Sequence, residues 1–387
     1  MVNLEFSQQF EMIRPYYDHE VKAAIERVVK HPQFVAVLNY LYENENVDEL
    51  VQVFNRIETV AQFQDFFSSY TVKRIIELSS GGLSFQGLEN LDPKKSYLFI
   101  ANHRDIVLDA AIMQIMLLDH GHKTSQITFG ENLMSQQLLV DLGKLNKMFT
   151  FYRGGSRNEQ YNNARLYSAY FEYVIQERNE SIWIAQRNGR TKDGNDKTQA
   201  GLIKMLTVGK KDISKALAGL NILPVTISYE KEPCAILKAR ELYLSKDKEY
   251  VKGPNEDIMS ILEGITGDKG RIHFSFGKPL NDFIETLAIN KFHKNELIER
   301  IVEEIDRQVY SDYRLWPNNY IAFDILNNSR NYIDQYSEEE KRNFTEDMNK
   351  RIGELEQFDS TELRRIFLQM YANPILNKRS KELKKEL

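Results

Sequence analysis

The sequence predicts an α/β fold with a central mixed, mostly parallel sheet flanked by helices, and with helical segments at both ends. Three observations predict it. Between residues of about 83 and 282, short runs rich in β-branched and aromatic residues alternate with longer helical patterns. Before that zone, in VKAAIERVVKHPQFVAVLNYLYENENVDELVQVFNRI, apolar residues recur at three- and four-residue steps, and Pro and Gly stay sparse until Gly81 and Gly82. After it, KNELIERIVEEIDRQVY (294–310) is amphipathic and SEEEKRNFTEDMNKRIGELEQF (337–358) is strongly charged, so helix returns.

The chain of 387 residues therefore divides into an N-terminal helical segment (1–82), an α/β domain (83–282) and a C-terminal helical segment (283–387). Six strands are expected in the middle zone: SYLFIAN (96–102), QITFGE (126–131), MFTFYR (148–153), SIWIAQ (181–186), ILPVTISYE (222–230) and RIHFSFG (271–277). NEQYNNARLYSAYFEYVIQER (158–178) is an expected helix between two of them. No internal repeat or low-complexity linker interrupts the pattern.

Composition narrows the function classes. With 42% hydrophobic residues, there is enough apolar material for a sizeable core. The net charge of −5 does not suggest a nucleic-acid binder. A single cysteine, Cys234, excludes an internal disulfide framework and a zinc ribbon and fits a reducing compartment. Met1 to Tyr17 holds Glu5, Glu11 and Arg14 and shows no secretory pattern, so a cytoplasmic location is expected. The apolar stretch Ile106 to Leu118 is broken by Asp109 and Gln114 and is too short to span a bilayer. A chain of this kind acting on lipids would sit on the inner face of a membrane as a peripheral protein.

The first chemical candidate is IANHRDIVLDAA (100–111). A β-run ends at Asn102, His103 follows, and a helical pattern begins soon after. Catalytic groups commonly stand where strands of an α/β sheet end. Histidine titrates in the range a general base needs, and two carboxylates, Asp105 and Asp109, lie near enough in sequence to orient its ring. The plainer reading is a histidine near a helix N-terminus with the aspartates as cap and first-turn charges. Asp119, His120 and His122, beside Gly121, read as a helix C-terminal cap rather than a metal site. No metal or cofactor is expected.

Further on, FTFYRGGSR (149–157) ends a β-run on Arg153, whose planar fork suits phosphate, with Gly154 and Gly155 letting the backbone come close. WIAQRNGRTKDGNDKTQAGLIKM (183–205) is a cationic, glycine-containing loop with Asn188, Gly189, Arg190 and Lys192. NILPVTISYE (221–230) is an apolar strand with Pro224 inside it, and FSFGKPL (274–280) pairs a strand with a Gly-x-Pro turn.

In order and spacing, these pieces resemble the motif blocks of the glycerophospholipid acyltransferase superfamily, over residues of about 100 to 280 and so about half the chain. The resemblance implies that His103 is the general base, that Arg153 binds the acceptor phosphate, and that the strand with Pro224 lines a substrate pocket. Two positions depart from the family pattern. The aspartate expected five residues after the histidine is Leu108 here, with Asp105 at two and Asp109 at six residues on. Asp109 is favoured as the partner, through one extra residue in the turn, and Asp105 remains the alternative. Asn188 occupies the usual glutamate position and can hydrogen-bond but carries no charge.

What the resemblance implies is transfer of a fatty acyl group from acyl-CoA or acyl carrier protein to a hydroxyl of glycerol-3-phosphate or a lysophospholipid. The His-Asp pair acts as base, with no acyl-enzyme and no cofactor beyond the thioester co-substrate. The expected partners are that donor, a lipid or glycerol-phosphate acceptor and a membrane surface, with Arg153, Gly154, Asn188, Gly189, Arg190, Lys192 and Pro224 on the substrate. Two rivals are an acyltransferase for an amino-acid-containing lysolipid and a non-catalytic membrane-associated scaffold that keeps the fold. The last eleven residues carry five basic and two acidic side chains, a second candidate for contact with an anionic surface.

Overall fold

The computed structural model describes residues 6–43, 45–131, 136–152, 154–247, 250–253 and 255–382, without the side chains of 68, 69, 381 and 382. Seven strands form one sheet: β1 (Leu83–Gln86), β2 (Leu98–Ala101), β3 (Gln126–Gly130), β4 (Met148–Phe151), β5 (Ile182–Ala185), β6 (Ile222–Tyr229) and β7 (Ile272–Phe276). Their order is β1-β7-β6-β2-β5-β3-β4. Every pair is parallel except β6 with β7. The sheet is therefore mixed and mostly parallel, as the alternation of strand and helix implied.

β2 and β6 are buried along their whole length, which is why β2 reads as an unbroken apolar run and why Thr226 and Ser228 of β6 are buried with their apolar neighbours. Period-two geometry still sorts their side chains. Phe99 and Ala101 face a core shared with the N-terminal helices, while Leu98 and Ile100 face one shared with the Arg157–Glu172 and Lys294–Asp312 helices. The helices from Asp18 to Ser79 thus complete one face of the sheet. Another core joins the Ala235–Leu244, Pro317–Leu326, Glu338–Gly353 and Ser360–Glu382 helices.

Local chemistry sets several boundaries. Ser156 and Glu159 form a capping box that starts the Arg157–Glu172 helix, which passes into a wider turn over Tyr173–Glu177. Ser337 and Glu340 do the same for Glu338–Gly353. Pro224 pairs with Ile100, and its carbonyl accepts from Gly277 N at 2.9 Å. The N–H that proline lacks falls just past the end of β7, outside the β2–β6 ladder.

The chain leaving β2 moves toward β3 on one side, and the chain leaving β6 moves to β7 on the other. Such a divergence opens a crevice beyond the carboxyl ends of β2 and β6, the usual ligand position in sheets of this kind. The loop after β5, residues 186–199, crosses that crevice and rests on the C-terminal helix. Asn373 Nδ2 donates to Asp193 O at 2.6 Å. Gly194 has φ +76°, and a Cβ there would drive into the carbonyl of Met370. Replacing Gly194 with alanine should therefore lower stability by about 1–3 kcal/mol, from left-handed strain together with the clash. Urea unfolding of the two proteins measures this, and an unchanged midpoint would show that the loop is not seated on Met370.

Candidate active site

The site is built on the end of β2. Asn102 fastens that end to β6: its side-chain Nδ2 donates to Ile227 O at 2.9 Å and its Oδ1 accepts from Ile227 N at 2.7 Å. His103 follows, with its own carbonyl accepting from Thr191 N at 2.7 Å, so the 186–199 loop lies directly against it. The imidazole side chain keeps 14% exposure and meets the Trp183 ring edge-on at 5.4 Å.

His103 Nδ1 lies 2.8 Å from Asp109 Oδ2. The same oxygen accepts from the backbone N–H of Arg104 at 2.5 Å and of Asp105 at 2.9 Å. Oδ1 accepts from the Tyr229 hydroxyl at 2.8 Å. Backbone amides only donate, so the group they converge on is an acceptor, and the histidine proton belongs on Nδ1. That leaves Nε2 as the ring nitrogen able to take a proton from a substrate.

Asp105 has a different task. Its Oδ1 accepts from Val107 N at 2.9 Å and Leu108 N at 2.8 Å, which caps the start of the Leu108–Asp119 helix. The spacing of six between His103 and Asp109 is explained by this cap. The Asp105 turn absorbs the extra residue, and Asp109 then falls in the first turn of the helix. Asp105 Oδ2 is buried without a partner. Burial first, and then the like charge of Asp109, raise the Asp105 carboxyl above the ordinary range.

Beneath the pair lies a buried ionic network. Arg104 binds Asp196 and Glu232, and Lys238 binds Glu232 and donates to Arg104 O at 2.7 Å. Two cations and two anions balance, which is the condition for burying such groups. Glu232 N donates to the Tyr371 hydroxyl at 2.8 Å, so the network also reaches the C-terminal helix.

The other residues singled out in the sequence separate into two groups. Asn188, Gly189 and Arg190 lie on the loop that Thr191 fastens to His103. Asn188 N donates to Gln199 Oε1 at 2.8 Å, and Gly189 takes a left-handed φ of +70°. Arg190 is close enough to Asp105 and Cys234 for its charge to act on both, and its Nη1 is buried with no hydrogen-bond partner. Lys192, by contrast, is held by Glu241. Gly154 is exposed and donates to Glu131 Oε1 at 3.2 Å. It follows β4, three strand spacings or about 14 Å along the edge from β2. Pro224 is a buried residue inside the sheet. Arg153 lies outside the described residues.

Sequence reading missed Tyr229, Trp183, Arg104 and Asn102. The one signal for Tyr229 was an aromatic hydroxyl at the end of a strand buried along its whole length.

A cavity of about 490 Å³ opens beside the Leu108–Asp119 helix. Leu108 and Ala111 line it from that helix and Val107 from just before it, Phe34 and Leu38 from Pro32–Leu41, and Ile261 from Glu256–Thr266. Its walls are almost wholly apolar. Another cavity, of about 550 Å³, lies at the amino ends of β3, β4 and β5, beside Gln126, Lys147 and Glu180, at the opposite edge of the sheet from His103. Two of its cations are already paired, Arg14 with Glu11 and Glu20, and Arg178 with Glu180.

Residues 82–228 match the family model described as Acyltransferase. Over those residues the chain is similar to the acyltransferase family. The chain is also similar to the crystal structure of the 1-acyl-sn-glycerophosphate (LPA) acyltransferase PlsC from Thermotoga maritima, at 13% identity over 76% of this chain and 95% of that one, with a TM-score of 0.34. No curated protein matches it.

Cys234 also stands near the site, at the N-terminus of the Ala235–Leu244 helix in a left-handed conformation. Burial, and then the charge of Asp105, push its thiol up to about 11, and it donates to Ser260 O. Alkylation with iodoacetamide at pH 8 should therefore be slower than for an ordinary exposed thiol by about two orders of magnitude, and complete after unfolding. Rapid labelling of the folded protein would show an accessible thiolate and make Cys234 a candidate nucleophile.

Proposed function

We propose that this protein transfers a fatty acyl group from a thioester carrier, coenzyme A or acyl carrier protein, to a hydroxyl of glycerol-3-phosphate or a lysophospholipid. The observation that carries the reading is the His103–Asp109 pair at the end of β2, whose carboxylate accepts from three further donors, and an apolar cavity is lined by Leu108 and Ala111 of the helix that carries Asp109. His103 Nε2 takes the proton from the acceptor hydroxyl as its oxygen attacks the thioester carbonyl carbon. Asp109 stabilises the imidazolium that forms. The tetrahedral adduct collapses, the carbon–sulfur bond breaks, and the thiolate leaves with the proton from Nε2. No acyl-enzyme intervenes, and no metal or cofactor is called on.

Arg190, on the loop that Thr191 fastens to His103 and with a guanidinium nitrogen that has no hydrogen-bond partner, is the cation for the acceptor phosphate, with Arg153 as the second. Asn188 and Gly189 shape the same loop. Lys192 is given over to Glu241, which reduces the positive charge this loop can present. That pairing favours as a second reading an acceptor less anionic than glycerol-3-phosphate, such as an amino-acid-containing lysolipid. The cavity beside Val107 and Leu108 is the place for the acyl chain, since it offers an alkyl chain dry contact and little polar competition.

Purified protein incubated with labelled acyl thioesters and a panel of acceptors tests the proposal. Transfer should be found and should fall about 10²- to 10⁴-fold in His103→Ala, with the fold kept. A folded His103→Ala protein with most of its activity would remove the mechanism, and absence of transfer from every thioester would favour the non-catalytic scaffold.

The proposal also includes work at a membrane surface, on the cytoplasmic inner face. Among the described residues, no helix is long and apolar enough to cross a membrane. Two basic residues of the C-terminal stretch are engaged in packing: Lys378 donates to Tyr313 O, and Arg379 stacks on Phe323 and Tyr332. Residues 383–387 lie outside the described residues. The cavity walls offer an apolar alternative, because Tyr40 and Leu262 line the cavity and are 54% and 43% exposed. Met259, on the same helix as Leu262, is 58% exposed. Burying one such side chain contributes about 1.5–3 kcal/mol, so the double variant Met259→Asp, Leu262→Asp should weaken vesicle binding by about tenfold or more. Removal of 377–387 should change it little. Co-sedimentation with zwitterionic vesicles measures both, and the reverse result would place the contact at the C-terminus.

A further inference from the structure

Tyr229 takes no part in the chemistry described above, yet it touches its most tightly held group. It is the last residue of β6 and is 1% exposed. Its hydroxyl donates to Asp109 Oδ1, whereas the three other donors reach Oδ2. A carboxylate held through one oxygen still turns about its Cβ–Cγ bond. Held through both, it keeps one plane, and the direction of its bond to Nδ1 is set.

We infer that Tyr229 is a positioning residue for the His103–Asp109 pair, fixing the carboxylate plane from the neighbouring strand so that Nε2 points at the acceptor hydroxyl. The inference rests on the acyl-transfer reading for its kinetic consequence and not for its geometry. β6 is well placed for this duty. Asn102 joins its backbone at Ile227 to the end of β2, so the two strands carrying Tyr229 and His103 cannot shift independently. The titratable groups facing the phenol are Asp109 and Asp105 from the β2 connection and Glu232 from the turn after β6. Burial first, and then these charges, raise the phenol well above its ordinary range, so it stays a donor. The strand with the proline thus serves the site through its last residue, while Pro224 itself lies deeper in the sheet.

A merely structural tyrosine would lose packing when altered and disturb binding and catalysis alike. Tyr229→Phe keeps the ring and removes only the donor. The expected result is a kcat lower by about 10-fold or more with KM for both substrates within about twofold, the pattern of an interaction that matters in the transition state. The His103 Nδ1 proton resonance, read by NMR without any substrate, should move or broaden in the same variant. Wild-type kcat together with an unmoved resonance would overturn the inference. If the wild-type protein transfers no acyl group, the resonance alone decides it, so failure of the acyl-transfer reading and failure of this one remain distinct. Should Tyr229→Phe not fold, Tyr229→Met fills the space without a donor and is judged by the same two measurements.

Discussion

One carboxylate carries the order of the whole site. Asp109 is wholly buried, and it is tolerable there because four donors reach it from two parts of the chain: the ring of His103 and the backbone of Arg104 and Asp105 in the turn after β2, and the hydroxyl of Tyr229 at the end of β6. The two backbone donors force the turn after β2 to wrap around the helix start. The tyrosine requires β6 to lie in register beside β2, and the histidine is left with one tautomer. The sheet order is thereby bound to the chemistry, because only neighbouring strands bring these donors to one oxygen pair.

Charge is treated differently a few ångströms below. The network of Arg104, Asp196, Glu232 and Lys238 gathers residues from the β2 end, the loop after β5, the turn after β6 and the helix that follows. Such a network adds little net stability over apolar packing of equal volume, but removing one member strands a buried charge. Its effect here is geometric, since it sets the floor on which the His103 turn rests. Placing Arg104 next to His103 in sequence makes that floor part of the same turn.

Much of this was legible in the sequence. The strands β2 to β7 announce themselves as short apolar or aromatic runs, and the mixed sheet follows from their alternation with helices. β1 was missed because Leu83–Gln86 is short and only half-buried, with no apolar run to mark it. The turn that gives Asp109 to His103 was legible as a preference for Asp109 over Asp105, but its geometry was not. That geometry depends on Asp105 finding the amides of Val107 and Leu108. Lys192 read as a free cation because its partner, Glu241, lies 49 residues away on another helix. Tyr229 escaped notice for the same reason, since nothing in its strand names a carboxylate 120 residues away as its partner.

The seat of Gly194 on Met370 bears on the order of events during synthesis. Domains form as the chain emerges, N-terminal parts first. All seven strands and His103 are present once residue 276 is made. The carbonyl of Met370 that Gly194 abuts, the Asn373 amide that holds Asp193 and the Tyr371 hydroxyl beside Glu232 come about a hundred residues later. A nascent chain therefore holds a complete sheet with an unsupported loop over its histidine. The loop over His103 thus takes its seat from a stretch made after every strand, so closure of the sheet precedes completion of the site.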